Sequence, residues 1–368
     1  MKTSPTSRGG VAAGRVWWGE GVRIACVDGD GIGPELMASA REVLAAAAEL
    51  DGLTVEFGTE AGGAGTYLET GEPLAAGAVE RFRDEYDAVL KGPVGLPEVR
   101  KADGTEAGVL GGVLRNGLDT YANVRPVRLL PGVRNAAGPI DYVVVRENTE
   151  GLYLSRGSGV RNERAASDQL LMTRVGVERI VRFAFETARA RSGAPADGVR
   201  RVTCVDKSNV LRSFAFFRDI FDEIAADYPD VEADHRYTDA AAHDLVAVPG
   251  RFDVLVTENF VGDMLSDLGA ATVGGLGTCP SGNIGESTAY FEPVHGSAPS
   301  IAGQDKANPT SQLLTAAMLL DHVGAAGTAA RITRAVESAY ADGAVELNPD
   351  GTPGCGTQGV TAAVLSRL

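Results

Sequence analysis

Short apolar runs alternate with longer segments of helical periodicity along this chain, and that alternation limits its architecture more than any other feature. Val22–Val27, Ala88–Leu90, Tyr142–Val145, Val202–Val205 and Val254–Val256 are too short for helices and too apolar for loops, so they read as buried strands. Pro34–Leu50, Leu170–Ala190, Phe214–Ala226 and Ser311–Val323 read as helices with one buried face. Strands separated by helices imply an α/β protein with substantial parallel pairing. Its 368 residues suffice for about two domains with a core in each.

Charge narrows the range of partners. The chain carries 34 Lys+Arg against 49 Asp+Glu, a net charge of −15. Such a surface does not grip nucleic acid or an anionic membrane, although a local arginine cluster can still bind a small anion. No apolar run approaches the roughly 20 residues of a membrane helix. Met1–Glu20 is polar and Gly-rich without a signal-peptide core, and is expected to be a flexible leader. Cys26, Cys204, Cys279 and Cys355 are far apart and form no CxxC pair, which predicts reduced thiols in a cytoplasm. The four histidines show no metal-binding spacing, so any metal here must be held by oxygen.

Three strands run into polar residues unwelcome in a core. Tyr142–Val145 leads to Arg146, Glu147 and Asn148; Val202–Val205 leads to Asp206, Lys207 and Ser208; Val254–Val256 leads to Glu258, Asn259 and Asp263. Ligands of open α/β sheets gather outside the carboxyl ends of strands, so these ends outline a site. Arg115, Arg125, Arg128 and Arg146 lie close together in an acidic chain, and arginine forks bind carboxylates bidentately. Asp263 and Asp267 stand four apart, on one face of a helix, where unpaired like charges need a cation. Hard oxygen ligands favour Mg²⁺ or Mn²⁺, with Asp239 a candidate third ligand. Lys207 is a candidate base and Tyr153 a candidate acid. The turn Gly29–Glu35 (GDGIGPE) imitates a dinucleotide fingerprint but has Pro34 where the last glycine is required, so it reads as a tight strand–helix turn.

From about Val22 to its C-terminus the chain resembles the β-decarboxylating dehydrogenases, the family of isopropylmalate, isocitrate, homoisocitrate and tartrate/D-malate dehydrogenases. The resemblance rests on GDGIGPE (29–35), YANVRPVR (121–128), VVVRENTEGLY (143–153), DKSNVL (206–211), GDMLSDLG (262–269), PSGNIGE (280–286) and EPVHGSAPSIAGQDKANP (292–309), in the family's order. It implies an isopropylmalate-dehydrogenase-like α/β fold on a shared mixed sheet, not a Rossmann fold. Residues 21–120 with 275–368 would form a large cofactor-binding domain, and 121–274 a small domain carrying the dimer interface and metal residues.

The resemblance further implies NAD-dependent, metal-dependent oxidative decarboxylation of a (2R)-malate-type 2-hydroxy acid to a 2-keto acid and CO₂. Tartrate/D-malate and isocitrate/homoisocitrate chemistry are the alternatives within the family, and a silent regulatory subunit the alternative outside enzymes. Arg115, Arg125 and Arg146 would clamp the substrate carboxylates. Asp239, Asp263 and Asp267 would hold Mg²⁺ or Mn²⁺, Lys207 would act as base, and Tyr153 would protonate the enol carbon. Lys207 and Asp239 would come from the partner of a homodimer. Asn209, Glu292, the loop His295, Gly296, Ser297, Ala298 and Pro299, and Asn308 would receive the cofactor. Ser300 stands where NAD users have an acid and NADP users a lysine, so NAD is favoured and NADP is possible. Gly111 and Gly112 stand where isopropylmalate enzymes have leucines, which leaves the C3 substituent open.

Overall fold

The structure, a computed structural model, describes residues 21–102, 104–134 and 138–368; the expected leader, residues 1–20, lies outside them. The strands are β1 (Val22–Val27), β2 (Val55–Thr59), β3 (Ala88–Lys91), β4 (Ala122–Arg128), β5 (Asp141–Glu147), β6 (Val160–Arg161), β7 (Ala166–Ser167), β8 (Arg201–Asp206), β9 (Glu232–Tyr237), β10 (Val254–Thr257), β11 (Pro280–Ile284) and β12 (Ala289–Pro293). Ten of them make one mixed sheet in the order β2-β1-β3-β12-β11-β4-β5-β10-β8-β9, while β6 and β7 form a separate hairpin. β2, β1, β3 and β12 are parallel; β12–β11, β11–β4 and β4–β5 are antiparallel; β5, β10, β8 and β9 are parallel again. Three reversals therefore leave two parallel halves running in opposite directions.

Alternation along each strand sends side chains to two different cores. Ile24, Cys26, Val143, Val145, Val254 and Val256 join one continuous apolar cluster with the helices Gly33–Leu50, Arg174–Ala190, Arg212–Ala225, Thr310–His322 and Ala326–Ala341. Phe185 stacks there on Phe221 and Tyr228, with centroids 5.4 and 4.7 Å away. Each such ring contributes on the order of 1.5–3 kcal/mol by burial. The opposite face carries two smaller cores, one on each parallel half. Ala25, Val27, Val89 and Tyr290 pack with Leu114 and Phe82 at one end, while Tyr142, Val144 and Leu255 pack with Leu245, Val261 and Leu265 at the other.

The expected strands and helices are present, but several boundaries move. The helix expected from Leu170 starts at Arg174, because the Thr173 hydroxyl caps it by accepting from Gly176 N at 3.1 Å. Leu171 is extended instead, and its carbonyl accepts from Gly151 N at 2.8 Å. β5 and β8 continue past their apolar runs through Arg146–Glu147 and into Asp206.

The GDGIGPE turn is a packing device. Gly29 and Gly31 have positive φ, and a side chain there would collide with the Pro93 and Ser297 carbonyls. Asp30 accepts from the backbone N–H groups of Ala64, Gly65 and Gly95 at 2.7, 2.9 and 2.7 Å, and so pins two loops to the end of β1. Gly108, also at positive φ, lies against the Ala64 backbone where no side chain fits. Pro34 follows in the first turn of the helix Gly33–Leu50.

Candidate active site

Between the two small cores of the second face lies a polar strip. Strand alternation puts Lys91, Glu292, Asn283, Ser281, Asn123 and Arg125 on this face, from β3 across β12 and β11 to β4. Lys91, only 2% exposed, pairs with Glu292 at 2.7 Å. Asn283 donates to Glu292 at 3.2 Å, and its carbonyl accepts from Asn123 at 2.9 Å. Asn123 also donates to Ser281 at 3.0 Å and accepts from Arg125 Nε at 2.7 Å. Each buried polar group in this strip has a partner, which is the condition for a buried network to be tolerated. Burial alone would raise the Glu292 carboxyl, but Lys91, Arg115 and Arg125 hold it below its ordinary value.

The strip ends in a cluster of opposite charges. Arg146, at the end of β5 and 1% exposed, donates to Asp263, and its Nε and second terminal nitrogen donate to Asn259 at 3.0 and 2.7 Å. Arg125 reaches Ser266 at 2.7 Å, Asp267 at 3.2 Å and Asp263 at 3.3 Å. Both acids project from the helix Asn259–Ala271, whose first turn is capped by Glu258 accepting from Val261 N at 3.1 Å. Gly262 lets this helix lie directly on β5, since a side chain there would strike Arg146 and the Thr257 hydroxyl. Tyr153 sits in the single turn Leu152–Ser155 and donates to Asp263 at 2.8 Å, its ring 5.7 Å from the Arg146 guanidinium carbon.

The electrostatics follow from this crowding. Burial, then the charges of Arg125 and Arg115, push the Arg146 pKa down to about 9, which still leaves it cationic at neutral pH. Burial favours a protonated Asp263, but Arg146, Arg125, the Tyr153 hydroxyl and Arg115 outweigh it and keep the group ionised. Asp267 goes the other way: burial and the Asp263 charge raise it despite Arg125. Two carboxylates one helical turn apart, one of them under strain, are a donor set that a divalent cation would relieve. Burial and the Asp263 carboxylate raise the Tyr153 phenol, so it keeps its proton. Arg115, in the short helix Gly111–Gly117, faces the same centre; burial opposes its charge, while Tyr290, Glu292 and Asp263 restore it. Its Nε is buried without a hydrogen-bond partner.

Within one chain the expected set is divided. Arg115, Arg125, Arg146, Tyr153, Asp263 and Asp267 converge. Lys207 and Asp239 do not join them; they pair with each other at 2.6 Å beyond the ends of β8 and β9. β8 lies two strands from β5, about 10 Å at ordinary strand spacing. Among the described residues no three His, Cys, Asp or Glu side chains gather as a metal cage. Asn209 is exposed in the turn after β8, five strands and about 24 Å of sheet from Glu292. The rest of the expected cofactor set lies on one continuous stretch. The Ser297 hydroxyl donates to Gly95 O and its carbonyl accepts from Ile32 N, so the loop rests on the glycine turn. Ala298 adopts a left-handed backbone at φ +35°. His295 is kept neutral by burial, and its Nε2 is buried without a partner, an opening for a ligand on this loop. Asn308 donates to the Tyr340 hydroxyl at 3.2 Å and caps Thr310 N at 3.1 Å.

The sequence reading missed Lys91, Asn123, Ser281 and Asn283, and placed Asn259 at a strand end without giving it a role. The signal was present as polar residues two apart, Asn123-x-Arg125 and Ser281-x-Asn283, inside segments that otherwise alternate.

Comparison with known proteins agrees with this arrangement. Residues 23–355 match the family described as isocitrate/isopropylmalate dehydrogenase. A 3-isopropylmalate dehydrogenase of Clavibacter sepedonicus is 42% identical over 334 residues, covering 86% of this chain and 90% of that protein. A 3-isopropylmalate/3-methylmalate dehydrogenase of Methanocaldococcus jannaschii is 42% identical over 322 residues, 87% of this chain and 92% of that one. The crystal structure of isocitrate dehydrogenase from Methylococcus capsulatus superposes with a TM-score of 0.84 at 39% identity, covering 94% of this chain and 99% of that one. With its mixed sheet, its arginine-clamped aspartates and these relatives, the chain belongs to the isocitrate/isopropylmalate dehydrogenase family and is a β-decarboxylating dehydrogenase.

Proposed function

We propose that this enzyme oxidises and decarboxylates a (2R)-malate-type 2-hydroxy acid with NAD, in the manner of a 3-isopropylmalate dehydrogenase. The observation that carries the reading is the convergence of Arg115, Arg125 and Arg146 on the Asp263–Asp267 pair, a site that can hold two substrate carboxylates beside a hydroxyl. Glu292, the loop 295–299 and Asn308 would hold NAD, which would supply the acceptor for the C2 hydride. Asp263 and Asp267, with Asp239 of the partner subunit, would hold Mg²⁺ or Mn²⁺, which would supply a Lewis acid at the C2 oxygen. The guanidiniums fix the substrate carboxylates by paired hydrogen bonds. Lys207 of the partner subunit takes the hydroxyl proton. After hydride loss the C3–carboxylate bond breaks, its electron pair passes to the keto acid framework, and CO₂ leaves. The Tyr153 phenol, still protonated, then gives C3 its proton.

A homodimer is supported by the Lys207–Asp239 pair standing apart from the other expected residues, and by exposed apolar side chains beside it: Val210, Leu211, Phe216 and Tyr237, with Phe260 and Met264 on the aspartate helix. Reversal of strand direction through β11 and β4 supports the two-domain division given above. NAD rather than NADP is supported by the absence of a basic side chain at Ser300–Ile301. Four free cysteines support a cytoplasmic setting, and among the described residues no helix is long and apolar enough to cross a membrane. Lys207, Tyr153 and all three aspartates are present, which weighs against a silent regulatory subunit.

The test follows NAD⁺ and NADP⁺ reduction with Mn²⁺ over D-malate, tartrate, 3-isopropylmalate, isocitrate and homoisocitrate. NADH formation with stoichiometric CO₂ supports the reading. No turnover of any malate, together with no binding of Mn²⁺ or cofactor, overturns it.

A further inference from the structure

Gly111 and Gly112 open the helix Gly111–Gly117, where glycine costs about 1 kcal/mol each relative to alanine. Neither residue has positive φ, so the backbone does not require glycine. A β-carbon on Gly112 would meet nothing within 4 Å, and one on Gly111 would touch only the Arg115 guanidinium at ordinary contact distance, 3.7–3.9 Å. This differs from Gly29, Gly31, Gly108 and Gly262, which are all pressed against neighbouring atoms. What the missing side chains leave is space. Both glycines line a cavity of about 890 Å³ whose wall also carries Val109, Arg115, Leu152 and Tyr153. That volume lies toward the upper end for small-molecule sites. Arg115 lines the same cavity, and Tyr153 belongs to the reacting cluster.

The cavity thus reaches the proposed clamp at Arg115, with Tyr153 and Asn259 beside it. We infer that it receives an extended C3 substituent, larger than a branched three-carbon group, running from the reacting carbons past Gly111 and Gly112. The wall also carries Arg156 and Arg161 beside Glu150 and Asp168, with the Arg156 guanidinium 3.4 Å from the Glu106 carbonyl, so the test offers both an apolar and an anionic tip. The inference rests on the dehydrogenase reading and names the substrate class for that site.

The experiment compares kcat/KM for 3-benzylmalate and 3-(3-carboxypropyl)malate with that for 3-isopropylmalate and D-malate, in the wild type and in Gly112→Ala and Gly112→Leu. One or two methylenes in a pocket discriminate by about 10–200-fold. The wild type should prefer a long-armed malate over 3-isopropylmalate by at least about tenfold, and Gly112→Leu should lower that ratio by at least about tenfold, with Gly112→Ala between. The better of the two long arms identifies the tip. Preference for 3-isopropylmalate or D-malate in the wild type, or a ratio indifferent to Gly112→Leu, overturns the subsite and leaves the dehydrogenase standing. Silence toward every malate overturns this inference, and absence of Mn²⁺ and cofactor binding as well overturns the proposed function. Gly112 variants improve helix propensity, and their melting temperatures verify folding independently.

Discussion

The arginine–aspartate cluster and the Lys207–Asp239 pair are both charged, both at strand ends, and held in opposite ways. Arg146 and Arg125 are almost wholly buried and locked by Asn259, Asn123, Ser266 and the two acids. Asp239 is exposed and Lys207 half-buried; they pair with one another, the Lys207 ammonium lies 5.9 Å from the centre of the Tyr237 ring, and Asp239 is lowered by the lysine's hydrogen bond. The first group is preorganised by its own chain, as electrostatic catalysis requires. The second is a surface ion pair of a kind that adds little to stability. The family resemblance implies that this pair completes the site of a second copy, and the variants below test that proposal.

The largest effects should come from breaking either group outright. Arg146→Met should lower kcat/KM by about 10²–10³-fold, and Lys207→Met by about 10²–10⁴-fold, measured as NADH formation on the best malate. The two should part company in stability: Arg146→Met leaves Asp263 without its closest cation and lowers the denaturation midpoint, while Lys207→Met leaves it in place. Equal destabilisation would erase the distinction between them.

Complementation sharpens the comparison. If the groups meet only across a dimer, then Lys207→Met and Arg115→Met chains, each inactive alone, should regain about a quarter of wild-type activity when refolded together, since half the dimers hold one intact site. No recovery in a verified mixed dimer would return Lys207 to its own chain's site. Asn123→Leu should cost about 1–3 kcal/mol by taking the partner from Arg125 Nε and from the Ser281 hydroxyl, read from urea midpoints. Thr173→Ala should cost about 1 kcal/mol through its lost helix cap, read from urea midpoints, and also removes the hydroxyl's bond to Glu150. Least of all, Asp239→Asn should leave the melting temperature where it was, yet weaken Mn²⁺ retention by the dimer in equilibrium dialysis.

Much of this was legible in the residues, and unevenly so. β1, β3, β5, β8 and β10 announce themselves because both of their faces are buried, giving unbroken apolar runs. β4, β11 and β12 do not, because they carry the polar strip; Asn123, Asn283 and Glu292 look like loop residues until neighbouring strands supply their partners. Pro126 disguised β4 further. It is tolerated because β11 pairs only with Ala122–Val124, so the proline falls beyond the end of that ladder. The arginines and the Asp263–Asp267 spacing could be read directly, since a helix fixes which carboxylates share a face. Which chain would supply Lys207 was not written in any local pattern, because strand order decides it.

The loops behind the proposed subsite are hung on main chain. Asp30 grips Ala64, Gly65 and Gly95 only by their amides, and Gly108 rests on the Ala64 backbone. Nothing in those contacts depends on the side chains a few residues further on. Descent with modification can therefore rewrite the wall at Val109, Gly111 and Gly112, around the buried Leu110, without disturbing the frame that supports it. A lineage can drift from one hydroxy acid to another while its arginines, aspartates and tyrosine stay where they are.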